Sequence, residues 1–599
     1  MYRSAFLRRA SFGALGLGLV AWPALSLAEA QALPTVTAEV VVTATTTPVP
    51  ADTVGRSVYR LTREDLFLVG TSSLVDGLRL LPGIDARARG GRDVQTDFSL
   101  RGATFGQTLV LLDGVRLNDS QSGHHNGEIP APLVGLDRVE VLAGPASAVH
   151  GADALGGTIQ FITRTDRHLS AETSVGEHRT ISGQLSTSGR VLPATWTLTA
   201  WGARSDGFMF DRDYALGGAG LRGRLSSGII IDGRHQRRAF GANGFYGNSP
   251  SKEWTDGTIL SAAWNRAGDG WFTQARLAGR NHGDHFRWDI KRPGFAENRH
   301  RTNAADLDLL ASRIPSHRVR LNVGAGGGGD RITSSNLGDH TFGRGYGFAE
   351  LLWTPTARVS AQAGARYDHY STFGGAWSPS VSLSVVANDR IRLRGSAARA
   401  FRIPTFTERF YNDPAHLASD QLAPERGWAV DAGMDADFGG WTISATPFVR
   451  WDTGVIDWVR QSPSDRWRTT NVRDVTTTGL EVSVMRRWSR ALLRVHYTAL
   501  DVDAPTLNRL SKYVLEYATH SVGVSLAAPI GWNVQASVNG DHRSRYDGQR
   551  YTLLGARLTR PMGRVDLFVE GSNLLDRVYR EIAGVPMPGR WVSAGIRVR

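Results

Sequence analysis

The stretch LRVHYTA, from Leu493 to Ala499, alternates apolar and polar side chains and decides the fold class of this chain. Arg494, His496 and Thr498 fall on one face of an extended strand, and the remaining side chains fall on the other face. The same period of two recurs in TWTLTA (residues 195–200) and in WNVQASVN (residues 532–539). These segments predict β-strands with one apolar face and one polar or charged face.

The alternation extends from about residue 166 to residue 599 without an intervening helical domain. A soluble β-sandwich also alternates, but one soluble β-core of this length would be unusual. An apolar face towards lipid and a polar face towards a wet lumen explain both faces at once. With about 10 residues for each strand and as many for its turns and loops, the region holds about 22 antiparallel strands. Residues 166–599 are therefore expected to form a transmembrane β-barrel.

The first residues of the chain predict export. Arg8 and Arg9 precede an apolar run from Ala10 to Val20, and small residues follow around Ala28. This order is typical of a secretory signal peptide, which we place at residues 1–28. Beyond it no run of about 18 apolar residues recurs, so no transmembrane helix is expected.

Composition excludes several classes of protein. The chain has no cysteine, which rules out disulfide scaffolds, cysteine-ligated metal sites and thiol nucleophiles. The net charge of +13 is spread along the chain and forms no block. Dispersed arginine among strand residues does not form a stripe that could follow a nucleic acid, so no nucleic-acid partner is expected.

Residues 51–165 differ from the rest and predict a small α+β domain ahead of the barrel. Leu74 to Leu81 has helical spacing and is followed by Pro82 and Gly83. Thr108 to Leu112 is a compact β-run, and the Asp113-Gly114 pair after it is a hairpin signal. Two more short strands are expected at residues 139–142 and 158–163.

Four segments of this domain resemble the plug signature of TonB-dependent outer-membrane receptors. The longest is LDRVEVLAGPASAVHGADALGGTIQFITR, residues 136–164. The others are RLLPGI (79–84), FSLRG (98–102) and TLVLLDGVRLN (108–118). Barrel segments that also resemble the family are AFRIPTFTERF (400–410), LAPERGW (422–428), TTGLEVSV (477–484), SNLLDRVY (572–579) and PMPGR (586–590). The resemblance spans essentially the whole mature chain, whose size is similar to that of the smaller cobalamin-receptor-like members.

This resemblance implies a 22-stranded antiparallel barrel in the bacterial outer membrane, with residues 51–165 folded inside the lumen as a plug. It also implies a TonB box within residues 29–50, and EVVVTAT resembles one. The residues of this expected box are Glu39, Val40, Val41, Val42, Thr43, Ala44 and Thr45. An extended β-branched segment can add a strand to a partner's sheet edge; the alternative is a first strand of the plug. The implied partners are TonB with its inner-membrane energising complex, and outer-membrane lipid.

Two plug stretches are expected to be apical loops that contact the solute, 87–93 and 118–128. The candidate contact residues are Arg87, Arg89, Arg92, His124, His125 and Asn126. The adjacent histidines could contact a metal-bearing ligand, since imidazole suits such metals. The alternative is that these are solvated loop residues.

Charged residues in the family-like plug segments predict an ion-pair network rather than ligand contacts. Its expected members are Arg101, Asp113, Arg116, Arg138 and Glu140. No cofactor is expected. Calcium is a weaker alternative, through the oxygen ligands of Asp206, Asp211 and Asp213, although these lack the EF-hand pattern.

The leading functional hypothesis is active import of a large, scarce metal chelate, a cobalamin-like corrinoid first and a ferric siderophore second. A passive porin needs neither plug nor box, so residues 136–164 argue against it. No Gly-x-Ser-x-Gly elbow is present and no Ser/His/Asp set is evident, so no enzyme is expected.

Overall fold

A computed structural model describes residues 40–71, 73–91, 93–191, 193–472, 474–504 and 510–599. The expected signal peptide, together with Glu39 and Arg92, lies outside these described residues. Within them no helix has the length and apolar character needed to cross a bilayer.

The N-terminal part consists of short strands and helices. In chain order these are β1 (Val40–Val41), β2 (Val49–Pro50), β3 (Val58–Thr62), α1 (Arg63–Val69), α2 (Leu74–Leu78), β4 (Ile84–Ala88), β5 (Thr96–Leu100), β6 (Thr108–Leu112), β7 (Val115–Arg116), β8 (Leu136–Ala143), α3 (Ser147–His150) and β9 (Gly157–Thr163). A five-stranded sheet has the order β3-β8-β9-β6-β7, and only its β6–β9 pair is parallel. β4 and β5 form a separate hairpin. We call residues 51–165 the plug.

Local sequence explains the boundaries of these elements. The Thr62 side chain accepts a hydrogen bond from the Asp65 backbone N–H and so caps the start of α1. Gly70 ends α1 in the left-handed conformation, with φ of 70°. Asp113 and Gly114 have φ of 50° and 82°, as a two-residue turn between β6 and β7 requires. The predicted Asp-Gly hairpin is confirmed.

The rest of the chain forms a closed barrel of 22 strands. Its first half comprises β10 (His168–Gly176), β11 (Thr180–Val191), β12 (Ala194–Ser205), β13 (Tyr214–Leu225), β14 (Ile229–Gly241), β15 (Lys252–Gly268), β16 (Trp271–Arg287), β17 (Glu297–Ser316), β18 (Val319–Ser334), β19 (His340–Thr356) and β20 (Val359–Tyr370). Each strand pairs antiparallel with its barrel neighbour, as predicted.

The second half continues with strands that lie in the barrel and short elements that lie in its loops. These are β21 (Gly374–Asn388), β22 (Ile391–Arg402), α4 (Phe406–Phe410), β23 (His416–Leu417), β24 (Glu425–Phe438), β25 (Trp441–Thr453), β26 (Ile456–Arg460), β27 (Trp467–Asn471), β28 (Val475–Arg487), β29 (Leu492–Asp503), β30 (Leu510–Ser511), β31 (Ala518–Pro529), β32 (Gln535–Arg545), β33 (Arg550–Met562), β34 (Val565–Ser572) and β35 (Trp591–Val598). The last strand pairs with β10 and closes the barrel. Of the described elements, β23, β26, β27 and β30 form a small sheet outside the barrel.

The alternation in the opening stretch matches the two faces of β29. Arg494, His496 and Thr498 are buried towards the lumen, whereas Val495 and Tyr497 between them are half-exposed on the outside. Elsewhere, large apolar side chains such as Leu277 are exposed on the outer wall, as a lipid-facing surface requires.

The polar stretch from Arg280 to Thr302 lies mostly on strands, since only residues 288–296 connect β16 to β17. One local prediction needs correction. In WNVQASVN, Trp532 and Asn533 have φ of 49° and 55° and form a turn, so the strand begins only at Gln535.

Candidate functional site at the plug–barrel interface

A buried arginine anchors the plug to the barrel wall. The Arg101 guanidinium donates to both carboxylate oxygens of Glu481 on β28, at 3.0 and 2.6 Å, and lies 3.4 Å from Asp431 on β24. Its guanidinium also lies over the Phe448 ring, 4.3 Å from the centroid. Because one partner left alone would be an uncompensated buried charge, this pair fixes how the plug sits in the lumen.

The hairpin turn of the plug makes a second contact with the wall. Asp113 Oδ2 accepts from Arg222 at 2.6 Å and from Arg234 at 3.3 Å, and these arginines lie on β13 and β14. The same carboxylate accepts from the backbone N–H and the hydroxyl of Thr163. Burial opposes ionisation of Asp113, but Arg222 and Arg234 outweigh it and hold its pKa below the ordinary value.

The other expected network members pair within the plug. Arg116 bonds to Asp153 at 2.7 Å. Arg138 bonds to Glu140 and to Asp137, each at 2.7 Å. The five predicted residues therefore divide into two plug–barrel anchors and two internal pairs.

The first apical loop is covered by extracellular loops rather than solvated. Arg87 donates to Glu516 at 2.9 Å, and Glu516 lies in the loop between β29 and β31. Arg89 donates to Asp97 at 2.8 Å and lies over the Tyr246 ring. Both arginine charges are therefore neutralised inside the protein.

The adjacent histidines of the second loop face different surroundings, because Gly123–His125 forms a 3-10 turn. The His124 ring stacks on Phe105 with 4.4 Å between centroids and meets the edge of Tyr513 at 5.9 Å. His124 Nδ1 donates to Asp97 at 2.9 Å. Burial lowers the pKa of His124 to about 4 despite this carboxylate, so its ring is neutral at pH 7.

His125 and Asn126 lie deeper in the interface. His125 Nδ1 is 3.2 Å from Glu128 Oε1, and its other ring nitrogen faces Asp284 on the barrel wall. Asn126 is buried too: its side-chain oxygen accepts from the Asp119 backbone N–H, and its amide donates to the Phe105 carbonyl.

An aromatic group from the loop between β14 and β15 completes the cover over the plug. Phe245 is buried beside Phe240, and the Tyr246 hydroxyl donates to Gln95 at 3.1 Å and Glu253 at 3.2 Å. Trp254 lies on the opposite face of β15 from Glu253 and stacks on His285. The inner aromatics thus belong to the candidate solute site, and Trp254 belongs to the outer wall.

Comparison with known proteins agrees with this geometry. The family model described as "TonB dependent receptor-like, beta-barrel" matches residues 163–574, and the one described as "TonB-dependent Receptor Plug Domain" matches residues 50–158. The chain belongs to the TonB-dependent receptor family. It is therefore an outer-membrane receptor.

Individual relatives of the receptor have different names. It is 24% identical over 494 residues to a vitamin B12 transporter, BtuB, of Vibrio vulnificus, covering 74% of this chain and 75% of the relative. It is 26% identical over 389 residues to the iron-regulated outer membrane virulence protein of Vibrio cholerae, covering 59% and 58%. The siderophore receptor PirA of Acinetobacter baumannii shares the fold with a TM-score of 0.73 at 15% identity, covering 90% of this chain and 98% of PirA.

In the receptor, the expected TonB box is folded into one end of the barrel lumen. This is the end at which short turns connect the barrel strands. The backbone N–H groups of Val42 and Thr43 donate to one carboxylate oxygen of Glu140, at 2.9 and 3.0 Å. His150 Nε2 donates to the Thr43 carbonyl at 2.8 Å, and Gln362 donates to the Ala44 carbonyl at 3.3 Å. Main-chain groups that a partner strand would need are thus occupied by side chains of the plug and barrel.

Two of the three carboxylates considered for calcium form ion pairs in the receptor. Asp206 pairs with Arg179, and Asp213 pairs with Lys252 at 2.9 Å. Burial and the nearby Asp213 raise the pKa of Asp211 to about 6. Among the described residues, no group of three possible metal ligands includes any of them.

Sequence reasoning missed the residues that complete these contacts. On the barrel wall, Glu481 and Asp431 bind Arg101, and on the plug His150 of α3 binds the box. His282 and Asp284 on β16, with Glu253 on β15, face His125 and Glu128 and could hold a metal ion. For the wall residues the available signal was their placement at inward positions of alternating strands, where charged residues face the plug.

Proposed function

We propose that this receptor binds a corrinoid at its outer face and imports it into the periplasm with energy transmitted by TonB. We choose a corrinoid because two ion pairs, Arg87 with Glu516 and Arg89 with Asp97, neutralise the arginines of the first apical loop. Because these charges are neutralised, the solute must be recognised by aromatic faces and neutral hydrogen-bonding groups. Tyr246, Tyr513 and His124 supply such groups. Such a surface suits a bulky, amide-rich ligand, and a relative named as a vitamin B12 transporter supports the choice.

Transport requires the plug to rearrange. A cavity of about 180 Å³ lies between the plug and the wall, bordered by Gly70, Gly90, Asn539 and Tyr579. A drug-sized ligand needs a pocket of about 300–1,000 Å³, and a corrinoid needs more. This cavity cannot hold the solute, which we therefore place outside the plug until a pull on the box segment loosens it. The charged contacts hold the plug in place while they are buried, and water that enters the interface during the pull can hydrate the separated charges.

A ferric siderophore is the second candidate. Within the described part of the chain, the hydrogen bonds of the Arg212 guanidinium go to the backbone carbonyls of Asn243, Arg89 and Pro586. No carboxylate forms an ion pair with it among these residues, so this buried charge would favour an anionic chelate over a neutral one once the covering loops open. A relative named as an iron-regulated outer membrane protein also supports this candidate.

Calorimetry with cyanocobalamin tests the proposal on the mature protein purified in detergent. We expect saturable binding with a dissociation constant below about 1 µM, or about 8 kcal/mol of binding free energy. Tyr246→Ala should weaken it about tenfold through the lost ring contact. Trp254→Ala on the outer wall is the matched control and should leave it unchanged. No binding at tens of micromolar would reject the corrinoid and make a ferric catecholate the next ligand to titrate.

Acidification is expected to release the box segment. Burial, together with Arg56, Arg366 and Arg116, lowers the pKa of His150 to about 4 while the box is docked. Release removes the hydrogen bond to the Thr43 carbonyl, which favours the protonated ring, and admits water to His150. We expect hydration to be the larger effect and to return the pKa of His150 towards 6.5, so the released state takes up a proton between pH 6.5 and 4 and the docked state does not. Lowering the pH from 7 to 5 should raise the released population by up to about twentyfold.

A spin label can measure this release, because the chain has no native cysteine to interfere. Val40→Cys places the label on an exposed residue of the box. His150→Gln keeps a donor for the Thr43 carbonyl but cannot titrate, so it should remove the pH dependence. Equal pH dependence with and without His150 would refute this role.

A further inference from the structure

A compact group of histidines and carboxylates lies between the second apical loop and the barrel wall, beside the aromatic surface proposed for the solute. His125 and Glu128 come from the plug, His282 and Asp284 from β16, and Glu253 from β15. All five side chains are at most 8% exposed. Two sets of three residues could each hold an ion: His125 with Glu128 and His282, and His125 with Glu253 and Asp284. Within each set, one ligand atom from each residue lies within 4.8 Å of the others.

One of these sets has the spacing of a metal coordination sphere. His125 Nδ1 lies 3.2 Å from Glu128 Oε1, and His282 Nε2 lies 3.5 Å from Glu128 Oε2. Ligand atoms about 2.1 Å from a tetrahedral Zn²⁺ are about 3.4 Å apart. The three ligand atoms lie within 4.8 Å of one another, so they would have to draw together to hold one ion.

Each imidazole also has a carboxylate behind its second nitrogen. Asp284 Oδ2 lies 3.6 Å from His125 Nε2, and Asp119 Oδ2 lies 2.9 Å from His282 Nδ1. Asp119 is held in turn by Arg280 at 3.1 Å. A histidine that binds a metal through one nitrogen usually donates its other N–H to such a carboxylate, which fixes the ring.

Polar atoms in the group lack hydrogen bonds although they are buried. Within the described part of the chain, His282 Nε2, the nitrogen that would face the ion, has no hydrogen-bond partner of good geometry. Asp284 Oδ1 is also without a partner. Unsatisfied buried polar atoms are costly, so several in one place indicate an occupant that the protein side chains do not supply.

The donor groups point to a divalent transition-metal cation. The carboxylates of Asp119, Glu128, Glu253 and Asp284 lie around the two imidazoles. Arg280 lies beside Asp119, and Arg238 lies 3.8 Å from Glu128. Imidazole nitrogen with carboxylate oxygen suits Zn²⁺ and neighbouring transition metals, whereas Ca²⁺ prefers oxygen alone.

We propose that His125, Glu128 and His282 bind one divalent first-row transition-metal ion, Zn²⁺ above all, which ties the second apical loop of the plug to β16. His124 takes no part, since its ring stacks on Phe105. The site is independent of which solute the receptor imports.

Metal titration of the intact mature protein in detergent tests the site. After treatment with a chelator, Zn²⁺ should bind with one-to-one stoichiometry and a dissociation constant below about 1 µM in competition with a chromophoric indicator. Ca²⁺ should not compete. Co²⁺ should give the visible absorption of a tetrahedral complex, a readout that needs no variant.

Two pairs of neighbouring histidines provide matched controls. His125→Ala and His282→Ala should each weaken Zn²⁺ binding at least 100-fold. His124→Ala in the same loop and His285→Ala on the same strand should leave it unchanged. Absence of Zn²⁺ binding by the wild-type protein would overturn the proposal and leave protonated imidazoles as the groups that balance the charge. Binding that survives loss of both His125 and His282 would overturn it too.

Discussion

Deleting residues 51–165 is expected to convert a closed receptor into an open pore. The plug fills the lumen of a 22-stranded barrel, whose inward side chains are polar and would line a water-filled channel without it. In planar lipid bilayers the deletion variant should show stepwise ion conductance at least about tenfold above the full-length protein. The full-length protein should remain closed at the same voltage.

Two controls keep this experiment interpretable. The deletion variant must show the shift in electrophoretic mobility on heating that a folded barrel gives, since an unfolded barrel would also lack a defined conductance. Leu277→Ala changes only an outward apolar side chain and should leave the full-length protein closed. Equal conductance with and without the plug would contradict the description of a plugged receptor.

Thr43→Pro is expected to abolish uptake while leaving solute binding intact. Proline removes the N–H that donates to Glu140 in the docked state and that a TonB strand would need after release. We expect energised uptake by whole cells to fall by about 100-fold, equivalent to about 3 kcal/mol of partner binding. Cyanocobalamin binding to the purified protein should not change, because the box lies at the opposite end of the lumen from the solute site.

Thr43→Ala is the matched control for this substitution. It removes the hydroxyl hydrogen bond to Glu140 but keeps the backbone N–H, so uptake should stay within a few-fold of wild type. A similar loss in both variants would assign the effect to the side chain rather than to main-chain pairing. Unchanged uptake in Thr43→Pro would reject residues 40–45 as the coupling segment.

Much of the architecture follows from short-range features of the sequence. Alternation in segments such as residues 493–499 predicts which side chains face the lumen, because successive residues of a strand point to opposite faces. The Asp113-Gly114 pair predicts its hairpin because both turn positions need a positive φ. The family motifs then placed a plug before the barrel, and the family models match both parts.

The partners of the candidate site residues depend instead on the tertiary structure. Arg101 and Glu481 are 380 residues apart, and barrel closure with plug insertion brings them together. His124 and His125 are identical in type and adjacent in sequence, yet a 3-10 turn directs one towards aromatic rings and the other towards wall carboxylates. The sequence by itself determined the strand periodicity, the turns and the family. The tertiary structure decided which charges meet, because those contacts depend on the strand register around the whole barrel and on the depth of the plug within it.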